Sequence, residues 1–144
     1  MPTLKRLELR PAGDTTCPVF VQASLCLVPL VEGIEDLQIE YGLDTSATPN
    51  GSPDTYKTSP ASTAEWASVV ALRVHVLARN VDQTGGYTDT KTYQLGLNAD
   101  GTANSVTPGG AYHRHAYTEV VRVTNNSQRK EKPLCIAPTT DCPT

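Results

Sequence analysis

Residues Leu30 to Thr45 read LVEGIEDLQIEYGLDT. Leu37, Ile39 and Tyr41 alternate with Gln38 and Glu40, and a period of two predicts a β-strand whose apolar face carries those three residues. Glu32 and Gly33 lead into the strand through a short turn, and Gly42 with Asp44 leads out. The same alternation recurs along the chain. Val70, Leu72, Val74, Val76 and Ala78 are predicted to face one way on a second strand, with Arg73, His75 and Arg79 facing the other. Leu7 and Leu9 mark a short first strand. Val19, Val21, Ala23, Leu25 and Leu27 share one face of the next, which Pro29 is expected to end because proline has no N–H to donate. Tyr93, Leu95 and Leu97 mark another, and the last runs from about Tyr112 to Val123. Ser62 or Thr63 is placed to cap one helical turn over Ala64, Glu65 and Trp66. Asp44 to Pro60 reads as a long polar loop, and Asn98 to Gly101 as a tight turn.

The chain has 144 residues, the scale of one globular domain over 1–144. A domain of this length buries roughly 70% of its unfolded surface, enough for a true core. Ten glycines and eleven prolines beside many threonines fit short strands joined by turns, so the fold class is mainly β, α+β at most. A charged fraction of 19% and a net charge of −3 argue against a general nucleic-acid binder, which carries a basic stripe. No window approaches the ~20 apolar residues of a membrane span. Lys5, Arg6, Glu8 and Arg10 sit where a signal peptide would be apolar, so Met1-Pro2-Thr3 is read as the trimmed start of a longer chain.

Four cysteines lie in two local pairs, Cys17 with Cys26 and Cys135 with Cys142, without a C-x-x-C motif. Three connectivities are open. Loop entropy favours a long bridge such as Cys17 to Cys142, while proximity along the chain favours Cys17–Cys26 and Cys135–Cys142, the pairing adopted here. Paired cysteines point to an oxidising compartment such as the bacterial periplasm; four buried thiols in a cytosolic protein is the plainer alternative.

Asp44, Asn50 and Asp54 are oxygen donors in a loop that Gly51 lets turn sharply, which makes them calcium-loop candidates, although their spacing misses the D-x-[DN]-x-[DN]-G pattern. His113 and His115 share a strand face with Tyr117 and Glu119, and His75 is a further imidazole, but a solvated polar face explains them as well. No G-x-S-x-G, cysteine signature or phosphate loop is present, so no catalytic residue and no cofactor is assigned. Arg73, Arg79, Arg114 and Arg122, with Arg129 and Lys130, would form a basic strip for DNA or a protein partner if the two strong strands pair.

Several phrases occur in one order: Val31-Glu-Gly33, the run from Leu37 to Thr45, Trp66-Ala-Ser-Val-Val-Ala-Leu-Arg73, Tyr93-Gln-Leu-Gly96 and the strand from Arg114 to Val123. Together they resemble the PilW family of type IV pilus minor pilins, related to the minor pseudopilin J of type II secretion, over a core of 30–125. The resemblance implies pilin-like or pseudopilin J-like antiparallel β-sheets with one short helix. It also implies the C-terminal globular domain of a minor pilin, the long N-terminal helix being absent, with 133–144 as a disulfide loop or tail. Its implied function is structural and not enzymatic: priming pilus assembly and sitting at the filament tip through protein–protein contacts. The partners implied are other minor pilins, the major pilin and a tip adhesin, with roles in cell adhesion and twitching motility. The implied location is export to the inner membrane and periplasm, anchored only through the missing helix, and then the extracellular pilus tip. Two alternatives stand beside it: the type II secretion pseudopilin, and a DNA-binding tip subunit in natural transformation.

Overall fold

A computed structural model describes residues 1–22 and 24–124. The expected Cys135–Cys142 bridge, the 133–144 tail, Arg129 and Lys130 lie outside the described residues. Among these residues the chain forms β1 (Thr3–Leu9), β2 (Phe20–Gln22), β3 (Leu25–Glu32), β4 (Ile34–Leu43), β5 (Thr55–Lys57), α1 (Thr63–Ala67), β6 (Val69–Arg79), β7 (Tyr93–Leu97), β8 (Ala103–Val106) and β9 (Arg114–Arg122). The strand orders are β1-β3-β2, β5-β4-β6-β9 and β7-β8. The fold is mainly β with antiparallel sheets and one short helix. No described helix is long and apolar enough to cross a membrane.

The chain divides into two compact units. The first comprises 1–38, 75–95 and 104–118; the second takes 39–74, 96–103 and the residues from 119 onward. In the first, β1 and β2 flank β3. The strand expected from Val19 to Leu27 is instead a hairpin, with β2 and β3 pairing antiparallel and Phe20 set against Cys26. Nor does Pro29 end the ladder, because β3 runs on to Glu32. The register of β1 against β3 shifts between Leu4 and Lys5, the latter opposite Pro29, and a bulge is where a residue without an N–H is tolerated. Gly33 joins β3 to β4 at φ 83°; a Cβ there would meet the Arg79 carbonyl oxygen at 2.6 Å, so the position needs glycine twice over. Leu77, Tyr93 and Leu95 form the core of this unit, with Val106 and Ala116 packed on it.

In the second unit Leu43, Val69, Val70 and Ala71 are buried. The helical turn forms where expected, with the Ser62 Oγ accepting from the Glu65 N–H, and Lys57 of β5 reaches Glu65 at 2.7 Å. The polar loop after Asp44 contains β5, which pairs with the end of β4.

β4 turns the other face inward from the one that alternation predicts, whereas β6 buries residues from both of its faces. Glu40 is 1% exposed, whereas Leu37 and Ile39 are 39% and 40% exposed. Along β6 Val70 of the expected face is fully buried, Val69, Ala71, His75 and Leu77 of the other face are buried, and Leu72, Val74 and Val76 are half-buried. The physical reason in β4 is pairing: the inward Glu40 carboxylate is met by Arg73, which removes much of the cost of burying it.

Candidate functional site

The most elaborate polar constellation lies in the first unit around Arg114, at the start of β9. Its guanidinium is 3% exposed and spends its donors as a fork. Nε and Nη2 donate to the two carboxylate oxygens of Glu35 on β4, the latter at 3.1 Å. Nη1 donates to Asp89 Oδ2 at 3.0 Å and to the Gly109 carbonyl oxygen at 2.6 Å. Gly109 and Gly110 both have positive φ, and the break they make brings that carbonyl to the arginine.

Asp89 is fully buried and collects donors from every side. The Tyr93 hydroxyl donates at 3.0 Å, the Tyr87 hydroxyl at 3.4 Å and the Lys91 N–H at 3.2 Å. Burial pushes the Asp89 carboxyl up, but the hydrogen bonds from Arg114, Lys91 and Tyr93 outweigh it and hold the group below its ordinary value. Glu35 is held low chiefly by its hydrogen bonds from Arg114, against burial, with the charges of Arg114 and Arg79 helping. Arg114 is raised by its bond to Glu35, against burial, with Asp89 adding to it. The Tyr93 hydroxyl is pushed up to about 12 by burial and by its bond to Asp89. Arg79 joins at the rim, 3.4 Å from Glu35 and stacked 3.8 Å from the Tyr112 ring centroid. The arrangement neutralises buried charge and locks the 80–91 and 109–114 segments to β4. It holds no nucleophile facing a base.

A smaller pair lies in the second unit. Arg73 donates to Glu40 at 3.2 Å and covers the Tyr56 ring at 3.4 Å. Gly42 makes room beside it, since a Cβ there would approach Pro53 and Tyr56 side-chain atoms at 2.9 and 3.0 Å. Arg122 is exposed and borders a shallow cleft with Gly51, Ser52, Pro53, Val70, Ala71 and Val120. Of the expected basic strip, Arg73, Arg79 and Arg114 are thus each matched to a carboxylate.

The calcium-loop candidates close their loop on themselves. Asp44 is buried, and its Oδ2 accepts the N–H groups of Asn50 and Gly51 at 2.9 and 2.8 Å. Asp54 Oδ2 accepts from the Thr45 N–H at 2.7 Å, and Asn50 Oδ1 from the Ser52 N–H at 2.8 Å. Among the described residues no group of three or more His, Cys, Asp or Glu is placed to hold a metal ion. His75 lies against Thr118 at 3.0 Å, His113 stacks on Tyr87, and His115 lies against Tyr117. Cys17 and Cys26 are bridged with 5.7 Å between their Cα atoms, which selects the local pairing for this half of the cysteines.

Neither Glu35 nor Asp89 is among the candidates that the sequence offers. The available signal was a carboxylate, Asp89, four residues before a tyrosine on a core strand.

Apolar side chains remain at the surface of the second unit: Ile39, Trp66, Val120 and Val121 are each 40–50% exposed. Trp66 stands edge-on to Tyr41 with ring centroids 4.9 Å apart. No curated protein and no solved structure matches the chain. The family model described as Type IV Pilus-assembly protein W, PilW, matches residues 1–125, and the chain belongs to that family.

Proposed function

We propose that this chain is a minor pilin that helps prime a type IV pilus and takes its place at the filament tip through protein–protein contacts. Its family is one of pilus assembly, which implies protein partners in the pilus machinery and export from the cytoplasm. The observation that carries the reading is the match over 1–125, joined to the half-exposed apolar side chains Ile39 on β4, Trp66 on α1 and Val121 on β9. Apolar groups left in water are available to a protein partner. The Cys17–Cys26 bridge suits an oxidising compartment. The reading is structural, with no reaction assigned.

Deleting the gene is expected to abolish or sharply reduce surface pili, and returning the full-length gene to restore them; normal piliation in the deletion would overturn the proposal. Loss of type II secretion with intact pili would instead support the pseudopilin alternative. The DNA-binding alternative has less behind it, because Arg73, Arg79 and Arg114 already face carboxylates.

A further inference from the structure

Asn50-Gly51 is the one Asn-Gly pair in the sequence, and such a pair carries its own chemistry. In a free chain the glycine nitrogen attacks the side-chain carbonyl carbon of the asparagine, unhindered because glycine has no side chain. The new C–N bond closes a five-membered succinimide, the side-chain amide bond breaks and ammonia leaves. Water then opens the ring at either carbonyl, giving aspartate or isoaspartate. In the folded chain the first of these steps is obstructed. Asp44 is buried, and its N–H donates to the Ser68 carbonyl. Its Oδ2 accepts the Gly51 N–H at 2.8 Å and the Asn50 N–H at 2.9 Å, while Oδ1 accepts from the Ser46 hydroxyl at 2.6 Å. Gly51 is buried with φ 77°; Asn50 is exposed, and its Oδ1 accepts the Ser52 N–H at 2.8 Å. The attacking nitrogen thus keeps its proton in a charge-assisted bond. The carboxylate beside it also opposes the negative charge that nitrogen takes on as the proton leaves. All of these residues belong to the second unit.

We propose that Asn50 is a latent deamidation site that the Asp44 carboxylate keeps shut. Once the loop opens, Gly51 is released and Asn50 reacts. The isoaspartate product places an extra backbone carbon between residue 50 and the Gly51 nitrogen. The two neighbouring N–H groups then no longer converge on one carboxylate oxygen, so the loop does not close again as before. The reaction makes a passing opening permanent, next to the point where Leu43 pairs with Thr55 of β5. The modification is independent of what the protein assembles with.

Incubation of the full chain in mildly alkaline buffer tests it, read by peptide mass spectrometry and by isoaspartate-specific methylation. Asn50 of the folded native chain is expected to convert at least about tenfold more slowly than in urea, the factor that one hydrogen bond to a charged group is worth. Asp44→Asn keeps the shape and removes the charge, and is expected to bring the folded rate close to the rate in urea. Asp54→Asn alters a carboxylate that accepts from Thr45 and not from Gly51, and is expected to leave the rate low. If Asp44→Asn folds poorly, hydrogen exchange of the native chain decides, with the Gly51 amide expected to exchange as slowly as the amides of β4. Equal rates in the folded and urea-unfolded native chain overturn the proposal. So does a folded Asp44→Asn that reacts no faster than the native chain, since the carboxylate would then be inert or a base. Equal acceleration by Asp54→Asn, or a Gly51 amide that exchanges as fast as a free loop, also overturns it.

Discussion

At the scale of single residues, the fold depends on charges that the interior has accepted. Arg114 and Asp89 are nearly inaccessible, at 3% and 0% side-chain exposure, and neither would be tolerated there without the other. Removing one member leaves an uncompensated buried charge, so Arg114→Met and Asp89→Asn are each expected to lower stability by about 3–5 kcal/mol. Arg79, at the rim with 16% exposure, leaves Glu35 still paired to Arg114 when it is lost. Arg79→Met is accordingly expected to cost about 1 kcal/mol. The same network fixes the acid limb. Glu35 and Asp89 both titrate below their ordinary values in the fold. Between the folded and unfolded values the unfolded chain holds more protons, so stability is fully present above about pH 4 and is lost as pH falls through the depressed folded values. Tyr93 acts at the other end: its folded value of about 12 lies above the unfolded one, so its contribution is present below about pH 10 and lost as pH rises through about 12. Urea unfolding of the native chain and Asp89→Asn across these ranges is expected to show a flatter acid limb for the variant; parallel acid limbs would mean that Asp89 contributes nothing to it.

At the scale of elements, the β2–β3 hairpin is held by its crosslink. Phe20 to Gln22 is too short to pair durably alone, and the bridge from Cys17 to Cys26 spans nine positions. Closing a loop of that size is expected to stabilise by about 2.5 kcal/mol, so a Cys17→Ala, Cys26→Ala double variant should melt roughly 10 °C lower. An unchanged melting temperature would show that the hairpin needs no crosslink. This hairpin also shows where the sequence was legible and where it was not. Alternation located β4, β6, β7 and β9, because period two survives whichever side is buried. It could not say which side, because that depends on whether Glu40, Arg73 and His75 find partners far away in sequence, and they do: Glu40 meets Arg73 and His75 meets Thr118. It read Val19 to Leu27 as one strand because the alternation runs through the hairpin turn without a break. β5 and β8 were missed because Thr55–Lys57 and Ala103–Val106 are short polar strands whose form comes from the neighbour they pair with. The Arg114 site was least legible: its carboxylate partners lie 25 and 79 positions away, at separations no local pattern reports.

At the scale of the whole molecule, the deciding quantity is how charge is distributed. A formal net charge of −3 gives a DNA phosphate chain no long-range attraction, so binding would need a local cationic patch. The arginines that would compose such a patch are not available as bare charges: Arg114 is neutralised twice over, Arg79 stands against Glu35, and Arg73 against Glu40. Phosphate contacts draw their affinity from release of counterions by uncompensated Lys and Arg, and an arginine already paired to a carboxylate releases few. The expected outcome is therefore no retardation of a short duplex in a gel shift at about 50 mM salt, a condition that strengthens electrostatic binding. Retardation that fades steeply between about 50 and 200 mM salt would show that the pairs open to receive phosphate, and would move the functional reading to a DNA-binding subunit. If binding occurred, Arg73→Gln and Arg79→Gln would each lower the salt slope by about one.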